Sequence, residues 1–139
     1  MICNQCPRKC NTDREITLGF CKSPQHFRVS RAALHFWEEP CISGENGSGT
    51  VFFSGCNLRC VFCQNYEISR ENKGVEISDE KLVSIFEKLI SQGAHNINLV
   101  NPSHYACRLA SVLSKWKSPV PIVYNTSGCD SVETLKMLD

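Results

Sequence analysis

No apolar run in this sequence approaches the roughly 20 residues that a membrane-spanning helix requires. The opening residues, MICNQCPRKC, hold no apolar stretch that could act as a signal peptide. Charge of one sign is missing too. Fifteen Lys and Arg face 14 Asp and Glu for a net charge of +1, so no broad field draws the chain to nucleic acid or to an anionic membrane. A length of 139 residues suits one domain rather than two independent cores. The expectation that follows is a cytoplasmic, reducing location. What the chain has in excess is cysteine, ten residues in all. A secreted protein would use them as a disulfide framework. In a reducing compartment thiols stay free, and metal binding or redox chemistry becomes the better reading.

Residues 1–49 are short of periodic apolar patterns and rich in Cys, Gly, Pro and charge, and are read as a mostly irregular segment. Within them RAALHFW, Arg31 to Trp37, predicts a short helix ended before Pro40, and Gly44 to Thr50 a loop. The pattern then changes. TVFFSG, Thr50 to Gly55, is β-branched, aromatic and closed by Ser-Gly, a buried strand. Ser78 to Ser91 predicts a helix, with Ser78 or Asp79 as cap, Leu82, Ile85, Phe86, Leu89 and Ile90 at helical spacing, and Gly93 as terminator. Asn96 to Val100 is a second strand, Tyr105 to Trp116 a second helix, Pro121 to Asn125 a third strand, and Ser131 to Leu138 the start of a third helix. That alternation predicts an α/β fold with a parallel sheet and right-handed crossovers. Three parallel strands expose an edge and half their core. Residues 50–139 are therefore expected to be the first half of a larger α/β barrel, as part of a longer chain or covered by another one.

Cys56, Cys60 and Cys63 form a C-x3-C-x2-C run directly after the first of these strands. A cuboidal 4Fe–4S cluster offers four irons, each normally held by one thiolate. Three thiolates on one short loop can hold three corners and leave the fourth iron open, and an open position separates a reactive metal site from a closed structural one. The loop also lies beyond the carboxyl end of a strand, where parallel α/β folds bind ligands. Gly55 lets the backbone turn out of the strand, and Phe62 is expected to shield the cluster from water. The competing readings are a zinc site completed elsewhere, disulfides, or inert thiols. Asn65, just past the last cysteine, is placed to contact a cofactor through its amide, or to bond its own backbone.

The longer text carries a resemblance. C-x3-C-x-aromatic-C after the first strand resembles the signature of the radical S-adenosylmethionine superfamily. HFWEEPCISGENGSGTVFFSGCNLRCVFCQNYEIS, GAHNINLVNPSHY and PIVYNTSG together look like its pyruvate formate-lyase-activating-enzyme-like group. The resemblance implies a partial barrel of the radical SAM type, made of its first three βα units. It implies Cys56, Cys60 and Cys63 as ligands of a 4Fe–4S cluster whose open iron chelates S-adenosylmethionine. It also implies reductive cleavage of that cofactor to a 5′-deoxyadenosyl radical and hydrogen abstraction from a substrate, as in an oxidoreductase that activates a glycyl-radical enzyme. Implied partners are an electron donor such as flavodoxin or ferredoxin, and a protein substrate. Many members carry a glycine-rich motif after the second strand, where this chain has NPSH. By position, Asn98, Asn101 and His104 become the candidates there, with Thr126, Ser127 and Gly128 at the same rim; a structural role competes for His104, and a simple turn for the last three.

Cys3, Cys6, Cys10 and Cys21 form a second group, C-x2-C-x3-C-x10-C. Four thiolates over this span can close a tetrahedral zinc site or hold a second iron–sulfur cluster, and such a site would order a segment with little apolar content; free thiols are the competing reading. Cys107 reads as a buried small hydrophobe, Cys41 and Cys129 carry no clear signal, Glu38 and Glu39 read as solvated or capping, and His35 and Trp37 as packing residues. The rival to a radical enzyme is a cluster- or zinc-binding module without catalysis, or one subunit of a split enzyme.

Overall fold

In chain order, the described residues 2–139 of a computed structural model form β1 (Ile2–Cys3), β2 (Thr12–Asp13), β3 (Phe27–His35), α1 (Pro40–Ser43), β4 (Ser48–Phe53), α2 (Tyr66–Ser69), β5 (Val75–Ile77), α3 (Asp79–Ser91), β6 (Ile97–Val100), a 3-10 turn at Ser103–Tyr105, α4 (Ala106–Lys115), β7 (Ile122–Asn125) and α5 (Val132–Leu135). The three apolar runs read as strands pair in parallel. Val51 of β4 lies opposite Leu99 of β6, which lies opposite Tyr124 of β7, with α3 and α4 in the crossovers. Among the described residues, no helix is long and apolar enough to cross a membrane.

The sheet is larger than three strands, and of mixed direction. Its order is β5-β3-β4-β6-β7, with β3 antiparallel to both β4 and β5. The helix expected over Arg31–Trp37 is thus corrected to the second half of a nine-residue strand. Ala and Leu favour a helix there only weakly. Pairing Ala32 with Val51 and Leu34 with Gly49 covers an edge of β4 that would otherwise stand open. Phe27 and Val29 are buried on alternate positions, and a register shift between Val29 and Arg31 reorients the strand. The described residues form no closed barrel; β5 and β7 are the outer strands. A separate two-residue pairing, β1 with β2, is the only strand structure N-terminal to β3 among the described residues.

The core fills one face of the sheet. Phe27, Val51, Phe53, Ile97 and Leu99 meet Leu82, Phe86 and Leu89 of α3 and Leu109 and Val112 of α4. Phe27, Phe53 and Tyr105 stack as a triangle with ring centroids 5.3–5.8 Å apart, and the buried Tyr105 hydroxyl accepts the Arg28 N–H at 3.1 Å. Burial pushes that phenol above its ordinary range. Each apolar side chain that α3 buries contributes about 2 kcal/mol of transfer free energy. Ser78 caps the helix by accepting the Lys81 N–H at 3.2 Å, and Gly93, at φ 101°, ends it. Strand alternation puts Thr50, Phe52, Asn98 and Val100 on the opposite face. There Thr50 and Asn98 are fully buried, and the Asn98 amide donates to Glu38 at 3.3 Å.

Candidate functional site

The parallel ladder brings the carboxyl ends of β4, β6 and β7 into line, Phe52 opposite Val100 and Val100 opposite Asn125. The loops that follow these strands therefore share one rim. Gly55 turns the chain out of β4 at φ 83°; a Cβ there would meet the Ser23 hydroxyl and lie 2.7 Å from the Cys21 carbonyl oxygen, so no side chain fits. The Gly55 N–H donates to the Ile68 carbonyl at 2.9 Å, and its own carbonyl accepts the Asn101 amide at 3.1 Å. The turn is thus held from α2 and from β6 at once.

Cys56, Cys60 and Cys63 line a single cavity of about 260 Å3. Cys56 is buried and the other two half-buried. The Cys56 sulfur receives the Leu58 and Arg59 N–H groups at 3.3 and 3.5 Å, and such N–H to sulfur bonds set the potential of a cluster bound there. Phe52, Leu58, Ile68 and Val100 give the cavity apolar walls, and Asn65, Asn101, Asn125, Thr126 and Ser127 its polar ones. Asn65 starts α2 without a side-chain cap bond, which leaves its amide free toward the cavity. Asn101 sits at φ 53°, and its Oδ1 is buried without a hydrogen-bond partner. Tyr124 of β7 and Thr126 just after it both donate to Asp130, the first at 2.9 Å. Burial, followed by the Asp130 carboxylate, holds the Tyr124 phenol well above its ordinary range.

Two positional candidates lie elsewhere. Asn98 is in mid-strand, committed to Glu38 and absent from the cavity wall. His104 is 1% exposed, with Nε2 2.8 Å from the Ser54 carbonyl oxygen. Burial pushes its pKa down to about 3, so the ring is neutral. It faces the N-terminal segment, where it lines a small cavity with Cys3, Cys6, Cys10 and Cys21. Phe62 is 86% exposed and covers nothing at the rim; the water exclusion expected of it falls to the apolar walls instead. Trp37, read as a packing residue, is 89% exposed. Residues the sequence did not single out are Asn57, fully buried beside Cys56 and donating to the Cys129 carbonyl at 2.6 Å, together with Asn125 and Asp130. A polar side chain adjacent to a candidate ligand cysteine was the available signal for Asn57.

All ten cysteines are free thiols. Among the described residues, no three His, Cys, Asp or Glu side chains converge closely enough to hold a single ion as they stand. A cuboidal cluster does not ask for convergence, because each thiolate takes its own iron. Three thiols spread around one cavity, with a buried unpaired acceptor on Asn101, fit that group and an amine-bearing cofactor beside it. A larger cleft, of about 450 Å3 between β1 and α5, contains none of these three cysteines, so size does not locate the chemistry.

An uncharacterized protein of Methanocaldococcus jannaschii is 30% identical over 145 residues, an alignment covering 98% of this chain and 41% of that protein. The chain thus spans less than half the length of the relative it matches. No solved structure matches significantly. Residues 50–104, which run from β4 through the three-cysteine loop to the turn after β6, match the family model of the Radical SAM superfamily.

Proposed function

We propose that the rim cavity binds a 4Fe–4S cluster through Cys56, Cys60 and Cys63 and S-adenosylmethionine beside it, as part of a radical enzyme of the pyruvate formate-lyase-activating type. The observation that carries the reading is the shared cavity: the three cysteines and Asn101, whose buried Oδ1 has no hydrogen-bond partner, line one space, inside the segment that matches the superfamily. When bound, such a cluster supplies the electron that cleaves the cofactor's sulfonium, and hydrogen abstraction from the substrate follows.

The chain's own residues have separate tasks. Cys56, Cys60 and Cys63 supply three thiolates, and the Leu58 and Arg59 amides temper the charge on the first. Asn101, on the cavity wall, would accept an N–H of the cofactor's amino group at its unpaired Oδ1. Asn65, Thr126 and Ser127 offer further polar contacts, while Phe52, Ile68 and Val100 keep water from the reacting centre. An electron donor such as flavodoxin or ferredoxin and a glycyl-radical protein substrate complete the proposal.

The test is anaerobic reconstitution with iron and sulfide, then addition of dithionite and S-adenosylmethionine. Formation of 5′-deoxyadenosine that requires all three cysteines supports the reading. A fully loaded cluster that never yields it, even with a flavodoxin as donor, leaves a non-catalytic cluster module.

A further inference from the structure

The segment before β3 is ordered without a core of its own. Of its described residues only Cys6 and Cys21 join the buried apolar set, while Ile2, Ile16, Leu18 and Phe20 are exposed. The regular structure among them is two strands of two residues each. It nevertheless holds three non-glycine residues in the left-handed region, Lys9, Asn11 and Lys22, each next to a cysteine. Such backbone persists only where something else over-determines it.

Cys3, Cys6, Cys10 and Cys21 line one small cavity, and Asn57 and His104 form its inner wall. Two buried acceptors there lack any partner: Asn57 Oδ1, on a residue 0% exposed, and His104 Nδ1, on a residue 1% exposed. Because His104 Nε2 faces the Ser54 carbonyl, an acceptor only, Nε2 carries the proton and Nδ1 presents a bare lone pair. Four soft sulfurs around one small space suit a metal ion.

We infer that Cys3, Cys6, Cys10 and Cys21 bind a single zinc ion that fastens residues 2–23 to the back of the three-cysteine loop. The cavity is about 10 Å3, room for one water-sized occupant, which favours a single ion over a cuboidal cluster. Zinc with four thiolates carries a net double negative charge, and Arg8, Lys9 and Arg14 line the same space to offset it. The thiols surround the cavity without meeting at a point, so binding the ion requires them to move inward. The fastening is explicit in the surrounding bonds. Arg8 Nε donates to the Asn57 carbonyl at 2.8 Å, the Ser23 hydroxyl to the Ser54 carbonyl at 3.2 Å, and the Gln5 amide to the His104 carbonyl at 2.7 Å. Ser54 and Asn57 flank Cys56, so the ion steadies the loop from behind.

The site stands independently of the cluster, and its test separates the two. The full chain, purified anaerobically, is assayed for metal by mass spectrometry and for zinc release on titration with a mercurial thiol reagent. About one zinc per chain is expected, retained when Cys56, Cys60 and Cys63 are all changed to Ala and when the exposed Cys41→Ser is made. Cys10→Ser and Cys21→Ser are each expected to lose it, with faster proteolytic cleavage before β3. In the cobalt-substituted protein, thiolate-to-metal absorption should correspond to four sulfurs. The inference is overturned by an unmodified chain free of zinc, by disulfides among these four cysteines, by zinc that disappears only with the three-cysteine loop, or by iron in place of zinc.

Discussion

Changing Gly55 to Ala perturbs the turn on which the candidate site depends, and the structure sets the size of the effect. At φ 83° an alanine occupies the left-handed region, which costs about 1–2 kcal/mol. Its Cβ also meets the Ser23 hydroxyl and lies 2.7 Å from the Cys21 carbonyl oxygen. The backbone atom cannot swing away, and overpacking of this kind costs about 1–3 kcal/mol. The sum is about 2–5 kcal/mol. With a urea m-value of about 1–3 kcal/mol/M, the unfolding midpoint falls on the order of 1 M or more. Ser23→Ala divides the two terms. Alone it removes a hydrogen bond to Ser54, whose carbonyl keeps His104 as a donor, at about 0.5–1.5 kcal/mol. Combined with Gly55→Ala, it relieves the hydroxyl clash and gives a coupling of about 1 kcal/mol, while the backbone strain and the carbonyl contact persist. Urea unfolding of the three variants reads all of this. A Gly55→Ala chain within 0.5 kcal/mol of the parent, or a full rescue by Ser23→Ala, refutes the reasoning.

Other outcomes follow from the same structure. Asn101→Ala removes the unpaired acceptor together with the amide that bonds the Gly55 carbonyl, and is expected to weaken S-adenosylmethionine binding about tenfold or more; Asn98→Ala, outside the cavity, should leave the binding curve where it was. Phe86→Ala opens the core where α3 meets Trp116, ring centroids 5.4 Å apart, and should cost about 3–5 kcal/mol by chemical denaturation. Ser78→Ala deletes the α3 cap and should cost about 1 kcal/mol in the same assay, with Ser84→Ala on the exposed face as a near-neutral comparison.

What the sequence made legible was local or periodic. Ser78, the stripe through Leu82, Phe86 and Leu89, and Gly93 define α3 without help from distant residues. The apolar runs of β4, β6 and β7 are short, bounded and β-branched. The three cysteines announce themselves by spacing and by following a strand. What stayed hidden depends on partners far along the chain. β3 holds Ala and Leu in a helix-like text, and only its pairing with β4 and β5 makes it a strand. β5 is three residues, two of them exposed, too little for any pattern. His104 follows β6 as Asn101 does, yet the 3-10 turn carries its ring toward Ser54 and the N-terminal cysteines. Asn98 is drawn to Glu38 across 60 residues of sequence. No periodicity encodes such meetings.

The most direct measurement is the EPR spectrum of the anaerobically reconstituted, reduced protein with and without S-adenosylmethionine. If Cys56, Cys60 and Cys63 hold three irons and leave the fourth open, a reduced 4Fe–4S signal forms, shifts when the cofactor is added, and is lost on changing the three cysteines to Ala, while changing Cys3, Cys6, Cys10 and Cys21 does not abolish it. A signal indifferent to S-adenosylmethionine, or one that survives loss of the three loop cysteines, contradicts the assignment of the site.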